Sequence, residues 1–218
     1  MKKKVLMAMG IVLMCGLVGC GSKESVEKEV STNKQVEKED SVDSDTKNPY
    51  KEVKMSENRL INATSNMQVP EEWIPSMSYD FCYTDKGKLF MFTKDGASSF
   101  RIETCKTLEE MPNACLEDMV NILSTSKSGY SAGAEISIIE QAVITINDKE
   151  MLKVKGNVKD EDEGLEHNMI AYFTFHEPCQ EKTEPYPVYF AYFYPDGTDE
   201  EEMEAYAYAS AESLELKE

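Results

Sequence analysis

The fold is decided by the stretch Pro187-Val188-Tyr189-Phe190-Ala191-Tyr192-Phe193-Tyr194. Side chains alternate between the two faces of a β-strand. Both alternating sets are apolar in this stretch: Val188, Phe190 and Tyr192 on one face, and Tyr189, Ala191 and Phe193 on the other. A strand that is apolar on both faces lies inside a sheet and is covered on both sides. The sequence therefore predicts a sheet with this strand at its centre.

Six further strands are predicted, and turn residues such as Asp85-Lys86-Gly87 and Asn147-Asp148-Lys149 separate them. Short turns join antiparallel neighbours, so the sheet is expected to be mainly antiparallel and to contain about seven strands. The six strands cover residues 78–84, 88–93, 98–103, 135–146, 151–158 and 168–176.

Two amphipathic helices are expected to cover this sheet. The first has a capping box at Thr107 and Glu110, although Pro112 also suits a helix start. The second follows a capping box at Thr198 and Glu201. The predicted fold class is therefore α/β (α+β), with a single globular domain at residues 59–218.

The first residues have the pattern of an export signal. Lys2, Lys3 and Lys4 precede an apolar run from Val5 to Val18. That run is shorter than the ~20 residues that span a bilayer, so it is typical of a secretory signal peptide at residues 1–19. An uncleaved membrane helix with an incidental cysteine is the alternative.

The end of this segment, Leu17-Val18-Gly19-Cys20, resembles the lipobox of bacterial lipoproteins. The resemblance implies that the Gly19–Cys20 bond is cut and that lipid is attached to the Cys20 sulfur. Two acyl chains hold a protein stably on a membrane, whereas one holds it only marginally. We therefore expect an extracytoplasmic protein, anchored by lipid to the outer face of the cell membrane, or to the outer membrane if the cell has one.

Residues 20–58 are expected to form a disordered, charged tether between the lipid and the domain, because they are poor in apolar residues. The formal charge of the chain is −18, and loss of residues 1–19 with three Lys and no acid would make it −21. A chain of this charge repels nucleic acid, so no nucleic-acid partner is expected.

Four features of the domain resemble the PsbP-like superfamily, which has an α/β/α sandwich fold. They are Val69-Pro70 with Trp73, the helix after the third predicted strand, the Ile146-Asn147-Asp148 hairpin and the closing helix. The resemblance covers about Val69–Leu216. Known members mostly dock to a partner protein, so the resemblance implies binding and not catalysis. None of their functional residues has a counterpart here.

Candidate reactive residues are few. Cys82, Cys105, Cys115 and Cys179 could form two disulfides, in any of three pairings, or stay as thiols. His176 and Cys179 form the one close His–Cys pair, which suits a disulfide loop better than a zinc site. The sequence thus predicts no catalytic residue, no cofactor-binding residue and no metal ligand.

Three other features are candidates for surface positions. His167 is expected to be exposed beside the acidic stretch Asp160–Gly164, which is interpreted as a solvated hairpin tip and not as a calcium loop. Some of the late tyrosines are expected to form an exposed partner surface. They are Tyr186, Tyr189, Tyr192, Tyr194, Tyr206 and Tyr208.

These features favour a binding or scaffolding module at the bacterial cell envelope, with membrane contact through Cys20 and an envelope protein as partner. The alternative is an extracytoplasmic enzyme that acts by thiol redox chemistry or metal-dependent hydrolysis. The sequence has no Cys-x-x-Cys pair and no clustered His, which weighs against that alternative.

Overall fold

The computed structural model describes residues 49–61, 65–75, 81–93, 107–126, 128–177 and 185–217. The predicted signal peptide, Cys20 and most of the predicted tether lie outside these residues. The predicted strand 98–103, Cys105 and Cys179 lie outside them as well.

The described residues form a mixed α+β fold with two helices and two antiparallel sheets. The helices are α1 (Met111–Thr125) and α2 (Glu200–Glu212). The strands, in chain order, are β1 (Met55–Ile61), β2 (Ser65–Pro70), β3 (Ile74–Pro75), β4 (Phe81–Thr84), β5 (Gly87–Thr93), β6 (Glu135–Ile146), β7 (Lys149–Asp160), β8 (Leu165–His176), β9 (Tyr186–Pro195) and β10 (Glu215–Leu216).

The larger sheet has seven strands in the order β3-β4-β5-β9-β8-β7-β6, so β9 is its central strand as predicted. Lys88 of β5 pairs with Phe193 on one side of β9, and Ile170 of β8 pairs with Tyr192 on the other. The side chains of β9 alternate between two hydrophobic clusters, with Phe190 in one and Phe193 in the other. Both faces of this strand are therefore buried.

The two helices cover opposite faces of this sheet. Helix α1 packs Met111, Met119 and other residues into the cluster that contains Phe193. Helix α2 packs Met203 and Ala207 into the cluster that contains Phe190. Each helix buries one side of the same central strand, which is why both alternating sets of β9 are apolar.

Both helices begin differently from their predicted capping boxes. Helix α1 has Glu110 as its N-cap without a side-chain capping hydrogen bond, and Pro112 lies in its first turn. Helix α1 therefore begins at Met111, close to the predicted alternative start at Pro112, and not directly after Thr107. Helix α2 is capped by Asp199, which accepts hydrogen bonds from the backbone N–H groups of Glu201 and Glu202. Its cap thus follows the predicted Thr198 by one position.

A second sheet, in the order β1-β2-β10, was not predicted. Strand β1 begins at Met55, before the predicted domain boundary at Arg59. Tyr50 and Val53 also pack against the main hydrophobic cluster. Only Leu60 of β1 is fully buried. Most positions of this strand can therefore be polar, which gives the segment the composition of a tether although it belongs to the fold.

Gly156 of β7 is expected to resist substitution. Its backbone pairs with Ile138 and Met169, and a Cβ at this position would overlap the carbonyl oxygen of Ser137. A glycine inside a strand often marks such a close approach. We expect Gly156→Ala to destabilise the domain by about 1–3 kcal/mol, measured by urea unfolding. Ser137→Ala, which keeps the carbonyl and lacks the clash, is the control, and an equal loss in both variants would contradict this explanation.

Candidate functional site

The late tyrosines do not form the exposed partner surface that the sequence suggested. Each of the six has at most 8% of its surface exposed. Those on β9 lie inside the sheet, and Tyr206 and Tyr208 lie on α2. Tyr192 also bonds its hydroxyl to Ser210 at 2.7 Å, which fixes the helix against the strand. This interpretation is therefore wrong, and the tyrosines form part of the core.

An ionic cluster joins α2 to β7. Lys153 Nζ lies 2.7 Å from Glu204 Oε2, and Lys155 Nζ contacts the other carboxylate oxygen. Tyr50 donates a hydrogen bond of 2.6 Å to Glu204. Burial by itself raises the pKa of the Glu204 carboxyl, but the hydrogen bonds from Lys153, Lys155 and Tyr50 outweigh it and lower the pKa to about 2. The cluster therefore stabilises the ionised carboxylate.

The stability of the domain should depend on pH through Glu204. Because its folded pKa of about 2 lies below the ordinary value of 4.5, its contribution is present above pH 4.5 and is lost as the pH falls towards 2. With allowance for solvent screening, we expect Glu204→Gln to lower the free energy of unfolding by about 1–2 kcal/mol at pH 7, and by less at pH 3. Urea unfolding at both pH values measures this. Glu201→Gln, an exposed change on the same helix, is the control, and an equal loss at both pH values would contradict the assignment.

His176 is a structural residue at the end of β8. Its ring is 5% exposed and stacks on Tyr186, with the ring centres 4.6 Å apart. Its Nδ1 lies 2.7 Å from the carbonyl oxygen of Glu177, and its Nε2 lies 2.6 Å from that of Lys217. Carbonyl oxygens therefore face both ring nitrogens. The ring connects β8 to the residues that follow β10.

Two of the four candidate disulfide cysteines, Cys82 and Cys115, are described, and both are buried as thiols. Cys82 belongs to the cluster on the α2 face of the sheet and Cys115 to the cluster on the α1 face. A bond between these two does not fit this arrangement. Burial also raises the pKa of the Cys82 thiol, and a buried thiol of this kind is unreactive.

His167 is half-buried and not exposed as predicted. Its Nδ1 lies 2.7 Å from the hydroxyl of Tyr130, whose ring lies under Lys88 Nζ at 5.4 Å. Burial, and then the charge of Lys88, lower the pKa of His167, and burial also lowers the pKa of Lys88. Lys88 also donates to the carbonyl oxygen of Ser128. These contacts hold the loop after α1 against the sheet.

The acidic stretch after β7 is only partly a solvated tip. Asp160 is buried and accepts a 2.9 Å hydrogen bond from Ser131 Oγ and longer ones from the backbone N–H groups of Asp162 and Glu163. The hydrogen bond from the backbone N–H of Ser131 is the main cause that lowers the pKa of Asp160. Asp160 therefore fixes the turn, while the residues from Glu161 to Gly164 are exposed.

A cleft of about 640 Å³ lies at one end of the larger sheet. It combines an apolar set of side chains with an excess of negative charge, because four carboxylates face one lysine. The apolar side chains are Leu108, Val143, Phe175 and Leu216. The charged residues are Glu109, Asp148, Glu150, Glu177 and Lys149, and Thr107 and Thr174 complete the lining. Such a lining suits a ligand that is both apolar and cationic.

Large apolar side chains are also exposed at both edges of the larger sheet. Ile74 and Tyr83 form a cross-strand pair at the β3 edge. Ile139 is 69% exposed and Val143 is 42% exposed on β6, at the opposite edge. Sequence reasoning missed these positions, because exposure at an edge depends on strand order, and no local pattern reports strand order.

The described residues offer neither a metal site nor a membrane-spanning helix. They contain no group of three or more His, Cys, Asp or Glu placed to hold a metal ion. No helix among them has the length and apolar character needed to cross a membrane.

Comparison with known proteins adds no assignment to these features. No family model matches this chain, and no curated protein matches it.

Proposed function

We propose that this chain is a lipid-anchored binding module at the outer face of the bacterial cell membrane, held there through Cys20. The acidic, partly apolar cleft at the end of the larger sheet is the observation that carries the binding function. Its four carboxylates and single lysine favour a basic, apolar segment of an envelope protein as the bound partner. The lipid places the cleft in the compartment where such a partner is found.

The anchor is tested separately from the cleft. Mass spectrometry of the N-terminal peptide from cells should find Cys20 as the first residue, with acyl groups on it. An intact Met1 end, or an unmodified thiol at position 20, would contradict the anchor and leave the binding proposal untouched.

The cleft is tested by site-specific crosslinking on intact cells. A photo-crosslinking residue in place of Glu150 should capture an envelope protein, and Glu177→Lys in the same chain should reduce that capture several-fold. Glu201→Lys makes the same change of charge on α2, away from the cleft, and should leave capture unchanged. Equal capture with Glu177→Lys and the unsubstituted chain would contradict an electrostatic role for the cleft.

We also propose that the domain is related to the PsbP-like α/β/α sandwich. Two helices on opposite faces of an antiparallel sheet support this relation, as does the burial of Val69 and Trp73 at the start of the resemblance. An experimental structure compared with a PsbP-like domain tests it, and a different strand order would contradict it.

The sequence also left open an extracytoplasmic enzyme that acts by thiol redox chemistry or metal-dependent hydrolysis. No observation among the described residues supports that enzyme. Cys82 is buried with a raised pKa, and both ring nitrogens of His176 face carbonyl oxygens. A tightly bound metal or a reactive thiol in the purified chain would restore it.

A further inference from the structure

His176 lies directly behind one wall of the cleft. Phe175 and Glu177, its neighbours along the chain, both line the cleft. The ring of His176 is buried and stacks on Tyr186, which belongs to the cluster on the α2 face of the sheet. Phe175 packs instead against the cluster on the α1 face. His176 therefore points away from Phe175, as successive residues of a strand do.

The ring of His176 connects two parts of the chain that line the cleft. Its Nδ1 lies 2.7 Å from the carbonyl oxygen of Glu177, and its Nε2 lies 2.6 Å from that of Lys217. Leu216, next to Lys217, is a lining residue as well. An imidazole ring carries an N–H in either tautomer, so at least one of these contacts is a hydrogen bond. The rigid ring thus sets the separation between the backbone at Glu177 and the backbone at Lys217.

The segment that carries Leu216 depends on contacts outside its own short strand. Strand β10 has only two residues and pairs with β2. The ion pair between Arg59 and Glu215, at 3.1 Å, also holds this strand, but water reaches both side chains and such pairs contribute little. The ring of His176 is buried, so water competes less for its contact with Lys217. We therefore expect the His176 contact to fix Leu216 more firmly than the ion pair does.

We propose that His176 is the positioning residue of the cleft, and that its bond to the Lys217 carbonyl holds Leu216 where the apolar part of a ligand contacts it. Glu177, at the other nitrogen of the ring, then faces the cationic group of the same ligand. This inference rests on the binding function proposed for the cleft. It assigns the ligand class as a cation beside an apolar group, and His176 itself makes no contact with that ligand.

Two substitutions that differ by one methylene group test this role. The amide N–H of Gln can take the place of the ring Nε2, whereas that of Asn can take the place of Nδ1. In the detergent-solubilised full chain, we expect hydrogen exchange of residues 214–217 to rise about fivefold in His176→Asn, as for loss of one hydrogen bond, and to rise less in His176→Gln. Both variants lose the stacking on Tyr186, so their difference reports the bond to Lys217 and not packing. Equal exchange in the two variants would overturn the positioning role.

Photoaffinity labelling of the same full chain tests the ligand class. The probe is para-azidobenzylammonium, a small apolar cation, and para-azidobenzyl alcohol is its uncharged comparison. In the unsubstituted chain, the cation should label peptides that contain Glu150 or Glu177 more strongly than the alcohol does. This labelling should fall several-fold in His176→Asn and persist in His176→Gln. Equal labelling of the two variants would overturn the proposal, whereas equal labelling of the unsubstituted chain by cation and alcohol would overturn the binding function on which it rests.

Discussion

Replacing Phe190 with Ala is expected to destabilise the domain by about 3–5 kcal/mol. Phe190 lies on the central strand β9 and has no exposed surface. Its ring stacks on Tyr172 with the ring centres 5.5 Å apart, and it meets Tyr192 edge-on at 6.3 Å. The substitution removes these contacts and leaves a cavity that the surrounding sheet cannot fill by relaxation. Urea unfolding followed by tyrosine fluorescence or circular dichroism measures the loss.

Tyr83→Ala is the matched control for this prediction. Tyr83 is an aromatic residue of the same sheet, but it lies near the edge and is 46% exposed. We expect its loss to cost less than about 1 kcal/mol, because solvent already reaches the ring. Similar losses for the two variants would show that β9 is not the centre of the core.

We expect one disulfide, between Cys105 and Cys179, and an effect of about 2–4 kcal/mol when it is reduced. Both cysteines lie outside the described residues. Cys82 and Cys115 are buried on opposite faces of the sheet, so this pairing is the one that the described residues favour.

Peptide mapping of the exported chain under non-reducing conditions tests the pairing directly. Reductant and Cys105→Ser should lower the Tm by the same amount, and reductant should have no further effect on the variant. Cys82→Ser is the control for loss of a thiol. Reductant should still lower the Tm of this variant. A Tm that reductant leaves unchanged would argue that all four cysteines are thiols.

The part of the fold that follows from local pattern could be predicted from the sequence. The central position of β9 followed from its two apolar faces. The β6–β7 hairpin followed from its turn, where Asn147 and Asp148 have positive φ values of 49° and 61° as this turn type requires. These signals depend only on residues that are close in the sequence.

The smaller sheet could not be predicted, because its strands have little apolar surface of their own. Strand β10 has only two residues, and its partner is β2, which lies about 150 residues earlier in the chain. The burial of the tyrosines has a related cause. Helix α2 contacts β2 of the smaller sheet as well as β8 and β9 of the larger one, so it buries more than a single stripe. A helical stripe in the sequence reports one contact surface only.

The candidate sites were harder to predict than the fold. The absence of a known catalytic motif was visible in the sequence, but the cleft gathers residues from the start of α1, from the β6–β7 hairpin and from the end of β8. The contact of Tyr130 with His167 likewise joins residues from separate elements. Such sites follow from strand order and register, which depend on long-range pairing.

Both sheets join the first part of the domain to the last, since β5 pairs with β9 and β2 pairs with β10. A chain translocated with its N-terminus first, as the proposed export signal requires, cannot complete the larger sheet until β9 has crossed the membrane, nor the smaller sheet until residue 216 has crossed. Long-range pairing of this kind makes folding slow. Under the proposed export, the polypeptide would emerge unfolded, and the proposed processing at Cys20 would precede folding of the domain.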